Sequence, residues 1–337
     1  INRCLVGSEM CIRDRCCNNS RSRKCFYGFK GFNQEMEEMK EVCVLYGGNS
    51  SEREVSLKSG KFIHKSLVKN GYKSHLIDYA DLTELEKLKD FNLVFIALHG
   101  EEGESGILQS KMDKAGIDYT GSGFEACKNS WDKEICKNIL RQNNLPTPDF
   151  SVYKTFQEII ESKNKIEEQF QEGVFIKPCK EGSSIDIIKV TDFSKSDLEK
   201  IKVDLVDRER KFLVERFIEG REFTVGFLND HILEPLEIIT KREFYDYEAK
   251  YDDDETQIIK ADLDENDLDT LKEIAKSCFN VFGLSRWGRV DILQDQKGNF
   301  FVLELNTVPG MTDHSLFPYA ASLKGFSFDE LVNEITK

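Results

Sequence analysis

The stretch "WGRVDILQDQKGNFFVLELN", Trp287–Asn306, reads as two strands joined by the turn "QDQKGN". With a side-chain period of two, Arg289, Asp291 and Leu293 share one face of the first strand. Val302, Glu304 and Asn306 share one face of the second, and the turn makes the two faces neighbours. Carboxylates pressed together on a half-buried face repel one another and lose hydration, so they require a cation or a raised pKa. Asp291, Glu304 and Asn306 all present oxygen donors, which suit a hard cation such as Mg2+ completed by phosphate oxygens and water. A hairpin turning ordinary polar residues to solvent would show the same alternation, so the hairpin alone leaves both readings open.

Working outward, the chain from Glu41 alternates strand and helix. "EVCVLYGG" is a short apolar run ending in two glycines, and "SSEREVSLKSGKFIHKSLVKNG" follows with helical spacing and an Asn-Gly stop. The strand "YKSHLIDY", a short helix near "LTELEKLK" and the strand "NLVFIALHG" complete a β-α-β pattern. Such a pattern predicts an open parallel sheet with ligands beyond the carboxyl ends of its strands, where Gly47, Gly48, His99 and Gly100 fall.

A second unit opens with one helix over "TGSGFEACKNSWDKEICKNILRQNN", stopped by "LPTP". Its strands are "DFSVY", "VFIKP" and "IDIIKV", and its helices lie around "FQEIIESKNKIEEQF" and "KSDLEKIKVDLV". The third opens with "KFLVERFI", "REFTVGFLN" and "HILEPLEIIT", read as antiparallel strands. A charged loop, a long helix over "ENDLDTLKEIAKSCFNVFG", the hairpin and two closing helices follow. The expected domains are 39–121, 122–214 and 215–337.

The 337 residues carry a net charge of −14, which argues against a nucleic-acid partner held by a broad basic surface. No apolar run approaches the roughly 18–20 residues of a membrane-spanning helix, so no membrane partner is expected. Of ten cysteines, Cys4, Cys11, Cys16, Cys17 and Cys25 crowd the first 25 residues. The others are scattered without metal spacing, as expected of thiols in a reducing cytoplasm. Residues 1–38 lack the apolar core of a secretory signal. Their "LVGSEMCIRDR" resembles translated linker sequence, so they are set apart as a non-native or disordered extension with the native start at Met36 or Met39.

Lysines supply the charge opposite to the hairpin's acids. "VFIKPCKEGSS" puts Lys177 at a buried strand end before a Gly-Ser loop whose backbone N–H groups can cradle phosphate oxygens, and Lys133 in "SWDKEIC" is a second candidate. Neither a Walker motif nor GxGxxG is present. In "LVERFIEGREFTV", Glu215 and Glu222 could accept from an adenine amino group and ribose hydroxyls, with the backbone of Arg216–Ile218 lining the base; alternatively they pair with Arg216 or Arg221. Ser51-x-x-Glu54 forms a capping box, in itself a sufficient reason for Glu54.

Taken together, "GGNSSEREVSL", "HGEEGESG", "YTGSG", "WDK", "FIKPCKEGSS", "YDYEAKY", "WGRVDIL" and "LELNTVPGMTDHSL" resemble, in order and spacing, the D-Ala-D-Ala ligases of the ATP-grasp family. The resemblance covers Glu41–Lys337. It implies an ATP-grasp architecture: an N-terminal Rossmann-like parallel-sheet domain, a small central α+β domain and a C-terminal, mainly antiparallel α+β domain. It further implies ATP-dependent joining of two D-alanines through an acyl phosphate, in a cytoplasmic homodimer.

The resemblance assigns two Mg2+ (or Mn2+) ions to Asp291, Glu304 and Asn306. Oxyanion stabilisation falls to Arg289 and the Gly310 N–H. ATP binding falls to Lys133, Lys177, Lys250, Glu215, Phe217, Ile218 and Glu222. Glu54 would hold the first D-alanine's ammonium, and His99, Lys250, Ser315 and Leu316 would contact substrate. "KREFYDYEAKYDDDETQ" would be a lid that links Tyr251 to Ser183 and Glu54 and excludes water from the acyl phosphate. The tyrosine in "EAKY" favours D-alanine as second substrate over D-lactate or D-serine. Cys179, Asp186, Val308 and Ser105 depart from the family's usual residues. A ligase with another acceptor and a non-catalytic nucleotide-binding regulator are the alternatives, and a regulator should have lost Arg289 or a metal ligand.

Overall fold

The computed structural model describes residues 40–182, 186–191, 193, 210–240 and 256–337. The expected extension 1–38, the helix over 195–206 and the lid segment 241–255, with Ser183, Lys250 and Tyr251, lie outside the described residues.

The first sheet has three parallel strands, β1 (Glu41–Tyr46), β2 (Lys73–Asp78) and β3 (Leu93–Ile96), in the order β2-β1-β3. Helix α1 (Arg53–Lys69) crosses over between β1 and β2. The turn before it needs glycine: Gly47 and Gly48 both have φ near +75°, and a Cβ on Gly48 would lie 2.0 Å from a Glu102 carboxylate oxygen. Asp78 organises this turn, accepting from Gly48 N at 3.1 Å and pairing with Arg53 at 2.6 Å. "LTELEKLK" forms a 3-10 helix over Leu85–Asp90, and "HGEEGESG" forms helix α2 (Glu101–Glu104). Helix α3 (Ile107–Ala115) follows it.

The helix expected over 120–144 is two helices, α4 (Phe124–Trp131) and α5 (Lys133–Gln142). Asp132 makes the break: its backbone is extended, and its carboxylate caps α5 by accepting from Glu134 N and Ile135 N. Ala126, Cys136 and Leu140 of this pair pack into the core of the C-terminal sheet, although the pair lies in the segment assigned to the central unit.

The central sheet is antiparallel, with β4 (Phe150–Tyr153), β5 (Val174–Pro178), β6 (Ile188–Val190) and β7 (Phe212–Arg216) in the order β4-β7-β5-β6. Helices α6 (Phe156–Glu161) and α7 (Lys163–Gln169), read as one from sequence, cover one face around Phe156, Ile166 and Val214. "KFLVERFI" was expected to open the third unit. As β7 it pairs instead with β4 and β5, so the boundary expected at 214/215 cuts through a strand of the central sheet.

The third sheet contains β8 (Gly220–Leu228), β9 (His231–Ile232), β10 (Leu236–Ile239), β11 (Gln257–Lys260), β12 (Trp287–Asp295) and β13 (Phe300–Asn306), ordered β11-β10-β8-β12-β13 with β9 beside β8. Helix α8 (Glu265–Phe282), capped by Asp264, fills one face around Leu271, Ala275 and Cys278. The other face joins the core of the first sheet through Trp287, whose ring lies 5.9 Å from that of Phe95 and 5.5 Å from that of Phe317 on helix α9 (Leu316–Leu323). Truncating such a fully buried aromatic costs about 3–5 kcal/mol. Helix α10 (Phe328–Thr336) closes the same core against α1. Among the described residues no helix is long and apolar enough to cross a membrane.

The hairpin corrects one expectation. Asp291 lies opposite Glu304 and Arg289 opposite Asn306, but the register then shifts and Ile292 lies opposite Val302. Leu303 is the extra residue of a β-bulge, so the period of two fails there. Val302 turns into the apolar core with Ile292 and Val290, away from Glu304 and Asn306.

Candidate active site

Two cavities meet beside this hairpin. One, of about 440 Å3, lies between the central and C-terminal sheets, and Asp291, Lys177, Glu215, Phe217, Ile218 and Glu222 line it. The second, of about 640 Å3, lies against the first sheet; Arg289, Asn306, His99, Gly310, Ser315 and Leu316 line it, as does Glu54. Lys133, Glu181, Gly182, Leu303 and Glu304 line both. The residues matched to nucleotide and those matched to amino acid thus fall on opposite sides of a wall that contains Glu304.

Arg289 grips Asp291 with two N–H bonds, Nε to Oδ1 at 2.8 Å and Nη2 to Oδ2 at 2.9 Å. Thr224 on β8 adds a 2.6 Å bond to Oδ1, fixing the carboxylate from a third direction. Such a two-pronged contact sets the guanidinium plane at the cavity wall. Asn306 Oδ1 accepts from Val308 N at 3.1 Å, which turns the chain out of β13 into the "TVPGMT" loop. In that loop Thr312 N donates to Ser315 Oγ at 2.9 Å, and a Cβ on Gly310 would lie 2.8 Å from the same oxygen. Only glycine leaves room there for the serine hydroxyl.

The nucleotide-side acid has neither of the partners expected from sequence. Glu215 is 1% exposed, and its carboxylate is held by Lys177 at 2.6 Å and by Lys137, while Arg221 pairs with Glu237 and Arg216 with Glu172. Burial opposes ionisation of Glu215, but the two lysines outweigh it and hold its pKa below the ordinary value. Phe175 and Phe217 meet edge to face at 5.7 Å, with the Lys189 ammonium 4.4 Å from the Phe217 ring centre. Lys133, first residue of α5, donates to the Glu181 carbonyl at 2.7 Å and so ties α5 to the loop after β5. Asp186 in that loop has φ +55°, a backbone glycine adopts without strain, and Arg210 pairs with its carboxylate. Cys179 is buried against Phe150 and Leu213.

The capping box expected of Ser51 and Glu54 does not form. Helix α1 begins at Arg53 with Glu52 at its N-cap and no side-chain cap bond. Ser50 does the local work: its hydroxyl accepts from Glu52 N and donates to the His99 carbonyl. Glu54 is exposed, whereas Glu52 is 7% exposed and turns into the amino-acid cavity. A Cβ on Gly182 would sit 2.9 Å from Glu52 Oε2, so Glu52, two residues earlier, takes the place beside the Gly-Ser loop expected for Glu54. A helical period separates the two: a carboxylate at the cap points along the axis, while one two residues on projects from the side.

Glu52 shapes its neighbours. Glu104 is pushed up to about 8 by loss of hydration and by the Glu52 charge. His99 is lowered by burial despite the pull of Glu52, and its Nε2 lies 3.4 Å from Ser59 Oγ. Sequence reading assigned no role to Glu52, Glu104, Thr224 or Lys137. The signal for Lys137 was present: it falls among Cys136 and Leu140 on the buried side of α5, where a lysine requires a partner.

Two antiparallel sheets that close a cleft over a hairpin bearing oxygen donors, with a parallel sheet bordering the adjoining cavity, define an ATP-grasp enzyme. Residues 139–337 match the family described as D-ala D-ala ligase C-terminus. The chain is 39% identical over 307 residues to the D-alanine–D-alanine ligase of Alcanivorax borkumensis, covering 91% of this chain and 96% of that protein. It is 43% identical over 298 residues to that of Marinobacter nauticus, covering 88% and 90%. A solved structure of the Bacillus anthracis D-alanine–D-alanine ligase complexed with ATP superposes with a TM-score of 0.75 at 27% identity, covering 88% of this chain and 96% of that one. The VanG D-Ala:D-Ser ligase of Enterococcus faecalis gives 0.76 at 26% identity, covering 89% and 99%. The chain belongs to the D-alanine–D-alanine ligase family.

Proposed function

We propose that the chain joins two D-alanine molecules at the expense of ATP, releasing D-Ala-D-Ala, ADP and phosphate for peptidoglycan precursor synthesis. One observation carries the reading: Lys133 and Glu304 belong to both cavities, so a γ-phosphate held by the Lys133 ammonium lies within reach of an amino acid on the other side. The first D-alanine's carboxylate oxygen bonds to the γ-phosphorus as the bond to the ADP oxygen breaks, giving an acyl phosphate. The second D-alanine's amine then bonds to the acyl carbon and loses a proton, and the carbon–oxygen bond to phosphate breaks.

The protein contributes position and charge more than covalent chemistry. Glu52, rather than the exposed Glu54, holds the first ammonium, and His99 acts as a neutral ring beside it. Lys133 and Lys177 hold phosphate oxygens, Glu215 accepts from the adenine amino group and Glu222 from ribose, with Phe217 and Ile218 against the base. Arg289, its plane fixed by Asp291, and the Gly310 N–H face the oxyanion of the tetrahedral intermediate. Ser315 and Leu316 seat the second substrate.

Asp291, Glu304 and Asn306 suit two Mg2+ or Mn2+ ions. Asp291 lies opposite Glu304 across the hairpin, with Asn306 two residues on from Glu304, a set of oxygen donors whose ions' shells ATP oxygens would complete. Bound there, the ions would neutralise phosphate charge. Ser183, Lys250 and Tyr251 keep the roles the resemblance gives them. A cytoplasmic homodimer belongs to the same reading.

The test is mass-spectrometric detection of dipeptide from D-alanine, ATP and Mg2+, with D-serine and D-lactate offered in competition. D-Ala-D-Ala as the main product is expected. ATP hydrolysis without any dipeptide would overturn the proposal, and preference for D-serine or D-lactate would move the chain to a neighbouring specificity.

A further inference from the structure

Lys137 lies outside every role assigned so far, yet it is among the most deeply buried charges in the molecule. Its side chain is 2% exposed and it makes three contacts: an ion pair with Glu215, a 2.8 Å bond to Thr147 Oγ1 and a 3.1 Å bond to the Val302 carbonyl. Thr147 donates to that carbonyl at 2.9 Å, and Val302 N donates to Pro146 O at 2.8 Å. An ammonium has three donors, and here all three are used. A buried charge of this kind is retained at a desolvation cost of several kcal/mol, so its partners matter to it.

The charge count shows what it does. Lys177 also binds Glu215 and lines the nucleotide cleft, whereas Lys137 borders the amino-acid cavity with its three N–H donors turned to Glu215, Thr147 and Val302. With one lysine on one carboxylate, the Lys177 charge would be cancelled within the wall. With two lysines, the group keeps one net positive charge, and its exposed edge is Lys177. The Val302 carbonyl is meanwhile the last main-chain acceptor before the Leu303 bulge and Glu304.

We infer that Lys137 is a positioning residue: it serves as the internal counter-ion of Glu215, leaving the Lys177 charge to phosphate, and pins the nucleotide-binding acid to the hairpin that carries Glu304. The inference rests on the reading of Glu215 as the adenine acceptor. Burial lowers the pKa of Lys137, and Glu215 opposes that shift.

The test is a double-mutant cycle on the full chain, with ATP and GTP titrated at saturating D-alanine and folding followed by thermal melts. Lys137→Met is expected to raise KM for ATP by about 10- to 100-fold. The KM for D-alanine should stay within about twofold, the preference for ATP over GTP should fall, and Lys137→Arg should recover part of the loss. In the Glu215→Gln background, adding Lys137→Met should change ATP binding little, because a counter-ion has no work once the carboxylate is gone. If Glu215→Gln weakens ATP but Lys137→Met leaves it unchanged or adds its full cost, the inference is overturned and the Glu215 reading survives. If Glu215→Gln itself leaves ATP affinity and base preference unchanged, both fall. Should Lys137→Met alone fail to fold, Lys137→Met/Glu215→Gln leaves no carboxylate without its counter-ion, and the one lysine it unpairs, Lys177, opens on the nucleotide cleft, so it is expected to fold; its failure would also overturn the inference.

Discussion

The nucleotide cleft and the amino-acid cavity handle buried carboxylates in opposite ways. In the cleft, Glu215 is matched in advance by Lys177 and Lys137 and is held ionised below its ordinary pKa. In the amino-acid cavity, burial first and the Glu52 charge second push Glu104 up to about 8, against the Gly100 N–H and Arg289. The difference follows what each side receives. ATP brings negative charge and needs protein cations already in place. D-alanine brings an ammonium, which acidic side chains on the cavity wall favour. An ammonium placed against Glu52 would also pull the Glu104 pKa down.

The residue on the wall between them should show the largest effect. Glu304 lines both cavities, and Glu304→Gln keeps the shape while removing the charge that the two sites share. Single-turnover assays should show dipeptide formation slowed by about 10²–10³-fold, of the size seen when one group aimed at developing charge is lost. Asp291→Asn should do comparable damage by a second route, because it also frees the Arg289 plane. Near-normal rates in both variants would mean that the hairpin does not carry the chemistry, and the contrast between the cavities would lose its meeting point.

A smaller effect separates Glu52 from Glu54. The buried Glu52 should give about a 10- to 100-fold rise in KM for the first D-alanine on replacement by Gln, the worth of one charged hydrogen bond. The exposed Glu54, replaced in the same way, should change it by less than about twofold. KM for ATP should be unmoved in both. Equal effects on D-alanine from the two variants, or a larger one from Glu54→Gln, would return the assignment to the residue that sequence spacing favoured.

That pair also shows where sequence reading stops. The strands, their alternation and the order of motifs were legible because period two and period 3.6 are written in the residues themselves. Which of Glu52 and Glu54 turns inward depends on a helix start shifted by Ser50, whose hydroxyl finds the His99 carbonyl only after β3 is in place. The Leu303 bulge is likewise settled by pairing: Val302 has to reach the core beside Ile292 while Glu304 stays opposite Asp291, and no local pattern encodes both. The break at Asp132 was readable, since an aspartate inside a helical run is a capping residue before it is anything else. Lys137 was marked by its place beside Cys136 and Leu140, but its partners Glu215, Thr147 and Val302 come from three separate segments that only the fold brings together.

The smallest expected effect concerns His99 and tests whether the amino-acid cavity is built around a neutral ring. Its pKa is lowered from the ordinary 6.5 by burial, with Arg289 acting in the same direction and Glu52 against it. Above pH 6.5 the ring is neutral whether the chain is folded or not, and it makes no difference to stability. As pH falls through 6.5 the unfolded chain takes up a proton that the folded chain refuses, so stability is lost at up to about 1.4 kcal/mol per pH unit until the folded value is reached. Denaturant unfolding of the wild type and of His99→Gln at pH 7.5 and pH 5.5 isolates this contribution from the acids around it. The wild type should lose more stability than the variant over that interval; parallel losses would show that the ring accepts its proton in place, and that the cavity can pay for a cation of its own before substrate arrives.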